Sequence, residues 1–243
     1  MVHKPDSPMF EPDAWNLSEQ ERNLSSLARD IGQNKIADRA AEYDRNAAFP
    51  VDNYRDMHDA GLMGICIPKE YGGFGMDLRG YSVVAAEIGR YCGSTALTWN
   101  MHVCSCLWSG ALTDDLDMDE VDRKRHRMNR ALHYRRILDE GAIYSQPFSE
   151  GGAAAAGAAA FGTTALKAPG GWRVNGKKIF ASLAGNADYY GVLCSELQSA
   201  DERASRGNTL YLAIPANSDG VTVVGDWDPL GMRGTVSRNL LFK

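Results

Sequence analysis

A chain of 243 residues that is 44% hydrophobic and 23% charged holds enough apolar material for one large domain or two of medium size, and this excludes an intrinsically disordered chain. Its net charge of −5 argues against general nucleic-acid binding, which needs a basic surface, and no apolar run reaches the roughly 20 residues of a membrane-spanning helix. The start, MVHKPDSPMF, has no signal or transit character, so the expected location is cytoplasmic, and five cysteines without paired spacing (Cys66, Cys92, Cys104, Cys106, Cys194) are expected as free thiols.

Residues 1–140 read as an all-α domain. Leu24, Leu27 and Ile31, and later Tyr81, Val84, Ala85 and Ile88, recur three and four apart and form stripes that dock helices on one another. Between them FPVDNYRDMHDAGLMGI opens with Pro50 in a first helical turn and closes at Gly61, and PKEYGGFGMD (68–77) breaks into a loop. In HVCSC a helix puts His102 and Cys106 on one face and Cys104 on another. That is two convergent ligands where a closed zinc site needs four, so a buried helix face is expected and no metal site. His3, His58, His126 and His133 show no mutual spacing. The basic stretch DRKRHRMNRALHYRR (122–136) carries Met128 and Leu132, with Val121 just before it, at helical spacing; its charges are expected to form the wet face of an amphipathic helix.

Over 141–243 short β-prone runs divided by turns replace the helical periods, which predicts an antiparallel β-barrel or sandwich and an α+β chain as a whole. ALKAPGGWRVNGKKIFAS carries two turn signals, Pro169-Gly170-Gly171 and Asn175-Gly176, the second being the favoured hairpin pair. YYGVLCSE, TLYLAIPA, GVTVVGDW and RNLLFK supply further strands, and QSADERASRGN (198–208) a polar hairpin tip. NLLFK stops inside an apparent strand, so the β-domain is expected to be incomplete at its C-terminus.

Two common chemistries find no support. GGFGMD has the wrong spacing for a dinucleotide turn and lies between helices, and no Gly-x-Ser-x-Gly exists. KIFASLAGNAD (178–188) is more informative, because alternation along a strand projects Phe180 and Ser182 to one side, an aromatic plate beside a hydroxyl. Ser145 and Pro147 pair likewise on an earlier strand. A flat, hydrogen-bonding heterocycle fits such a surface, although one buried Phe beside a polar neighbour is also how an ordinary core strand reads.

The ordered set of motifs resembles the acyl-CoA dehydrogenase family of flavoproteins. AGLMGICIPKEYGGFGMD is similar to the family's Gly-Leu-x-Gly…Pro-x-Glu-Tyr-Gly-Gly-x-Gly stretch, and EIGRYCGSTALTWNMH to the helix pair after it. YSQPFSEGG occupies the place of the Thr-Glu-Pro strand, WRVNGKKIFASLAGNADYY that of the Asn-Gly hairpin and Trp-Ile-Thr strand, and DPLGMRGTVSRNLLF that of the Leu-Gly-x-Arg-x-Ser/Thr strand. The resemblance implies FAD held by Tyr144, Ser145 and Gln146 on one strand and by Phe180, Ala181 and Ser182 on another, with Ser145 and Ser182 in the places of two flavin-binding Thr residues and Phe180 covering the ring.

It further implies an oxidoreductase of fatty acid metabolism that removes the α-proton and β-hydride of an acyl-CoA substrate. An electron-transfer acceptor protein as partner, and a homo-oligomer at full length, belong to the same implication. The family's catalytic carboxylate sits in a C-terminal helical bundle and is expected beyond Lys243. Gln146 stands where the family usually has Glu, the Gly-Ser-Asp that follows is absent, and EGGAAAAGAAAFG (150–162) is inserted; Ser149 is the candidate substitute near the thioester. Two alternatives stay open: a flavin-dependent monooxygenase of the same fold, and a non-catalytic fragment that binds flavin or a partner chain.

Overall fold

The computed structural model describes residues 7–152, 157, 159–199 and 201–243, so the insert expected at 150–162 lies partly outside the described residues. The chain forms two compact units, Met1–Ala142 with Pro229–Thr235, and Ile143–Asp228 with Val236–Lys243.

The first unit is helical. It holds α1 (Glu19–Ile31), a π-helical turn (Gly32–Ile36), α2 (Ala37–Arg45), α3 (Val51–Asp59), α4 (Leu78–Gly89), α5 (Gly93–Ser109), a short α6 (Ala111–Asp114) and α7 (Glu120–Leu138). Ser18 opens α1 with a capping box: its Oγ accepts from the Glu21 N–H at 3.2 Å while its own N–H donates to the Glu21 carboxylate at 2.7 Å. Most of the two stripes is buried, Leu24 and Ile31 from α1 and Tyr81, Val84 and Ile88 from α4, while Leu27 and Ala85 are half-buried. After α3, the loop through PKEYGG depends on Gly73, where a Cβ would lie 2.1 Å from the Ile67 carbonyl.

His102 is fully buried on α5, its Nε2–H donating to the Met63 carbonyl at 3.1 Å, and burial pushes its pKa down to about 3. Among the described residues no cluster of three or more His, Cys, Asp or Glu could hold a metal ion, and no helix is long and apolar enough to cross a membrane.

The amphipathic expectation for α7 is overturned. Val121 (72% exposed), Met128 (65%) and Leu132 face solvent, while Tyr134 and Ile137 are the residues buried. Only the C-terminal turns of α7 reach the core: the Tyr134 ring meets Tyr71 at 5.1 Å, and its hydroxyl donates to the Cys106 carbonyl at 3.4 Å. The Pro229–Thr235 segment is tied in through Arg233, whose Nε donates to the Asp44 carbonyl at 2.8 Å and whose guanidinium pairs with the Asp44 carboxylate.

The second unit is one curled seven-stranded sheet of β1 (Tyr144–Ser145), β2 (Thr164–Ala168), β3 (Gly171–Ala181), β4 (Tyr189–Leu197), β5 (Thr209–Pro215), β6 (Val221–Val224) and β7 (Arg238–Phe242). Its order is β1-β4-β2-β3-β7-β6, with β5 on β4. Four pairings are antiparallel, as expected, but β1 and β2 both run parallel to β4, so the sheet is mixed. The cause is the turn after β3, which returns the chain so that β4 runs alongside β2 in the same sense.

Pro169 and Gly170 make the β2–β3 turn, with Gly170 at φ +81 where this turn requires it. Asn175-Gly176, expected as a second hairpin turn, lies within β3. There the strand passes from pairing with β2 (Asn175 opposite Thr164) to pairing with β7 (Gly176 opposite Phe242). A Cβ on Gly176 would stand 2.6 Å from Thr163 Cα, so the glycine serves a close crossing of backbones and not a turn.

Candidate functional site

Ser145 lies opposite Tyr190 in the parallel β1–β4 pairing, and alternation sends it to one face of the sheet and its neighbours Tyr144 and Gln146 to the other. Ser145 is completely buried and its Oγ donates to the Ser182 carbonyl at 2.5 Å. Tyr144 stacks on Tyr189 with ring centroids 4.8 Å apart. Gln146 Oε1 accepts from the Tyr211 hydroxyl at 2.8 Å, in room that exists because Gly191 has no side chain: a Cβ there would lie 2.5 Å from that oxygen. Alternation thus divides the triplet between the two faces, and Ser145 is hydrogen-bonded to the Phe180–Ser182 turn.

At the end of β3 the ladder to β7 bulges between Lys178 and Ala181. Phe180 adopts φ +52, leaves the strand alternation and stands 65% exposed, its ring edge-to-face with Trp227 at 6.2 Å and 85°. Ala181 is buried and pairs with Arg238. Ser182 is half-buried; its N–H donates to the Phe180 carbonyl at 3.0 Å and its Oγ pairs with Ser237 Oγ at 2.8 Å. Simple alternation therefore fails as the reason for joining Phe180 to Ser182, yet hydrogen bonds link Ser145, Phe180 and Ser182 in one turn.

Ser149 is tied to the residue before this turn, its carbonyl accepting from the Ile179 N–H at 2.8 Å. The next residue, Glu150, accepts from Lys178 Nζ (2.6 Å), the Gly162 N–H (2.6 Å) and the Thr163 N–H (2.9 Å). Lys178, 0% exposed, also donates to the Leu193 carbonyl at 2.6 Å and stands 4.6 Å from the centre of the Phe161 ring. Burial raises the Glu150 pKa, but its donors, Lys178 foremost, outweigh this and hold the carboxyl below its usual range; burial also draws the Lys178 ammonium below its usual range, against the pull of Glu150. A carboxylate so satisfied is a poor proton acceptor.

Sequence reasoning passed over Ser237, Trp227 and the Lys178–Glu150 pair. The partners are 55, 47 and 28 residues apart in sequence, and no local spacing connects them. The one available signal was a Lys-Lys pair in a strand, where alternation turns one member inward.

The N-terminal domain of acyl-CoA dehydrogenases matches residues 18–111 and the middle domain of the same enzymes matches 147–243. The mitochondrial short-chain specific acyl-CoA dehydrogenase of Mus musculus is 29% identical over 228 residues, covering 93% of this chain and 51% of the relative. An L-evernosamine nitrososynthase of Micromonospora sp. is 30% identical over 218 residues, covering 86% and 46%. A structure of TdsC from Paenibacillus sp. A11-2 with FMN and indole shares the fold, at 24% identity and TM-score 0.72, over 91% of this chain and 51% of that one. The chain spans about half the length of the curated relatives it matches.

Proposed function

Because the chain belongs to the acyl-CoA dehydrogenase family, whose members are flavin oxidoreductases, we propose that it binds FAD against Phe180 and Ser182 and serves the α,β-dehydrogenation of an acyl-CoA thioester. The observation that carries this reading is the turn itself: an exposed phenyl ring in a strained conformation beside a half-buried hydroxyl. Those residues fit a flavin, since the ring offers an apolar plate and the hydroxyl offers one proton to the edge of a heterocycle. Ser145, which stands in the place of a flavin-binding Thr, supports the turn from β1. Its hydroxyl donates to the Ser182 carbonyl at 2.5 Å, so in this reading it also fixes the turn that presents Ser182.

Bound flavin would supply the acceptor for the substrate's hydride. Phe180 covers one face and keeps water from it, while Ser182 Oγ–H donates to the nitrogen where negative charge develops, a preorganised stabilisation of the kind that lowers barriers most. Glu150, the carboxylate nearest in sequence to Ser149, is held ionised by Lys178 and two N–H groups and is not the proton acceptor of this reaction. Transfer of the electrons to an acceptor protein, and assembly of several copies, belong to the same proposal.

A second reading, oxygenation by reduced flavin, draws on one observation: Gly151 and Gly152 follow Glu150, so no hydroxyl and carboxylate stand where the family's Gly-Ser-Asp would meet a thioester. The nitrososynthase relative favours the same reading. Anaerobic mixing of the flavin-loaded protein, joined to a C-terminal helical bundle of the family that supplies the catalytic carboxylate, with acyl-CoAs of graded chain length decides between them. Bleaching of the flavin absorbance by any thioester is the expected result; an unchanged spectrum with all of them removes the dehydrogenase reading.

A further inference from the structure

We propose that Ser237 is a positioning residue that directs the proton of Ser182 toward the ligand edge, an inference that rests on the flavin reading above. The two hydroxyls are 2.8 Å apart, and either can donate. Each has a single proton. If Ser182 donates to Ser237, its proton is turned inward and its Oγ can only accept. If Ser237 donates to Ser182, the Ser182 proton is free to face an acceptor outside. Ser237 is buried and Ser182 half-buried, so the pair has an inner and an outer member, and Ser182 is the outer one.

The surrounding backbone holds this pair in place. The Ser182 carbonyl is fixed by Ser145 Oγ at 2.5 Å and its N–H by the Phe180 carbonyl at 3.0 Å. On the other chain segment the Val236 carbonyl accepts from the Ala184 N–H at 3.3 Å and from the Arg238 N–H at 3.0 Å, which brackets Ser237. Phe180 (φ +52), Leu183 (φ +66) and Val236 (φ +46) all sit in the left-handed region without being glycine. Three such residues flanking one hydroxyl pair mark a place where the fold sustains strain to hold a geometry.

The test compares affinities for oxidised and reduced FAD, with FMN in parallel, in the unaltered protein and in Ser182→Ala, Ser237→Ala and Ser237→Thr. Both S182A and S237A are expected to weaken binding of reduced flavin relative to oxidised flavin, S237A by about three- to tenfold, the worth of one hydrogen bond. S237T is expected to restore the ratio, because its hydroxyl donates as serine's does. A purely structural Ser237 would weaken both forms equally. An S237A protein with an unchanged ratio, beside an S182A protein whose ratio shifts, overturns the inference and leaves the reading of function standing. An unaltered protein that takes up neither flavin form overturns that reading, and the inference falls with it.

Discussion

Removing one member of the buried Lys178–Glu150 pair should destabilise the second unit severely. Glu150→Gln keeps the side-chain volume but leaves the Lys178 ammonium, fully shielded from water, with carbonyl acceptors only, the nearer being Leu193 at 2.6 Å. The carboxylate's other contacts, with the Gly162 and Thr163 N–H groups at 2.6 and 2.9 Å, lose their charge assistance. A hydrogen bond to a charged group contributes about 1.5–3 kcal/mol, and breaking a buried pair from one side costs about 3–5 kcal/mol, so a loss of about 3–4 kcal/mol is expected. For a chain of this size that is a fall in Tm of about 6–16 °C.

Calorimetry and urea unfolding of E150Q, Lys178→Met and the double variant measure it. The double variant should be more stable than the summed single losses predict by at least ~1 kcal/mol, because neither charge is then left alone. The pH dependence has a definite sign. Glu150 is held below its usual range in the folded state, so its contribution is complete above the unfolded value of about 4.3 and is lost as pH falls further, toward its depressed folded value. The gap between the unaltered protein and E150Q should therefore be flat near neutrality and shrink in acid. A loss under ~0.5 kcal/mol, or strict additivity in the double variant, would refute the reasoning.

Gly176→Ala puts a Cβ 2.6 Å from Thr163 Cα and should cost about 2–3 kcal/mol in urea unfolding; a neutral result would mean the β2–β3–β7 crossing is looser than described. His102, neutral when folded, has its pKa lowered from 6.5 to about 3, so the unfolded chain takes up a proton in that window and the folded chain does not. Stability should fall by about 1.4 kcal/mol per pH unit on acidification through the window, and His102→Gln should lack that component of the slope. Met128→Ser and Val121→Ser, on the exposed side of α7, should shift stability by less than ~0.5 kcal/mol; a loss above ~2 kcal/mol would show that this face is covered.

The elements most legible in the sequence are those whose signal is local. Leu24 and Ile31, or Tyr81, Val84 and Ile88, are buried because the 3.6-residue period places them on one face, and the runs read as strands at 189–196 and 209–216 coincide closely with β4 and β5. α7 misled because period alone does not say which turns of a helix reach a core: Met128 and Leu132 keep the spacing, but Tyr134 makes the contact. Asn175-Gly176 misled because a hairpin dipeptide and a backbone crossing both select glycine. Around the proposed flavin surface, the types and order of Ser145, Phe180 and Ser182 stand in the sequence, whereas the hydrogen bonds that link them do not. The bulge at Phe180, the Ser182–Ser237 pair and the Lys178–Glu150 pair are set by register between strands distant in sequence.

The central claim, that the Phe180–Ser182 turn is a flavin surface, is tested most directly by a crystal structure of the protein loaded with FAD. The account predicts the isoalloxazine lying against the Phe180 ring with a ring nitrogen within about 3.2 Å of Ser182 Oγ. A flavin bound elsewhere, with Phe180 and Ser182 left untouched, would contradict it.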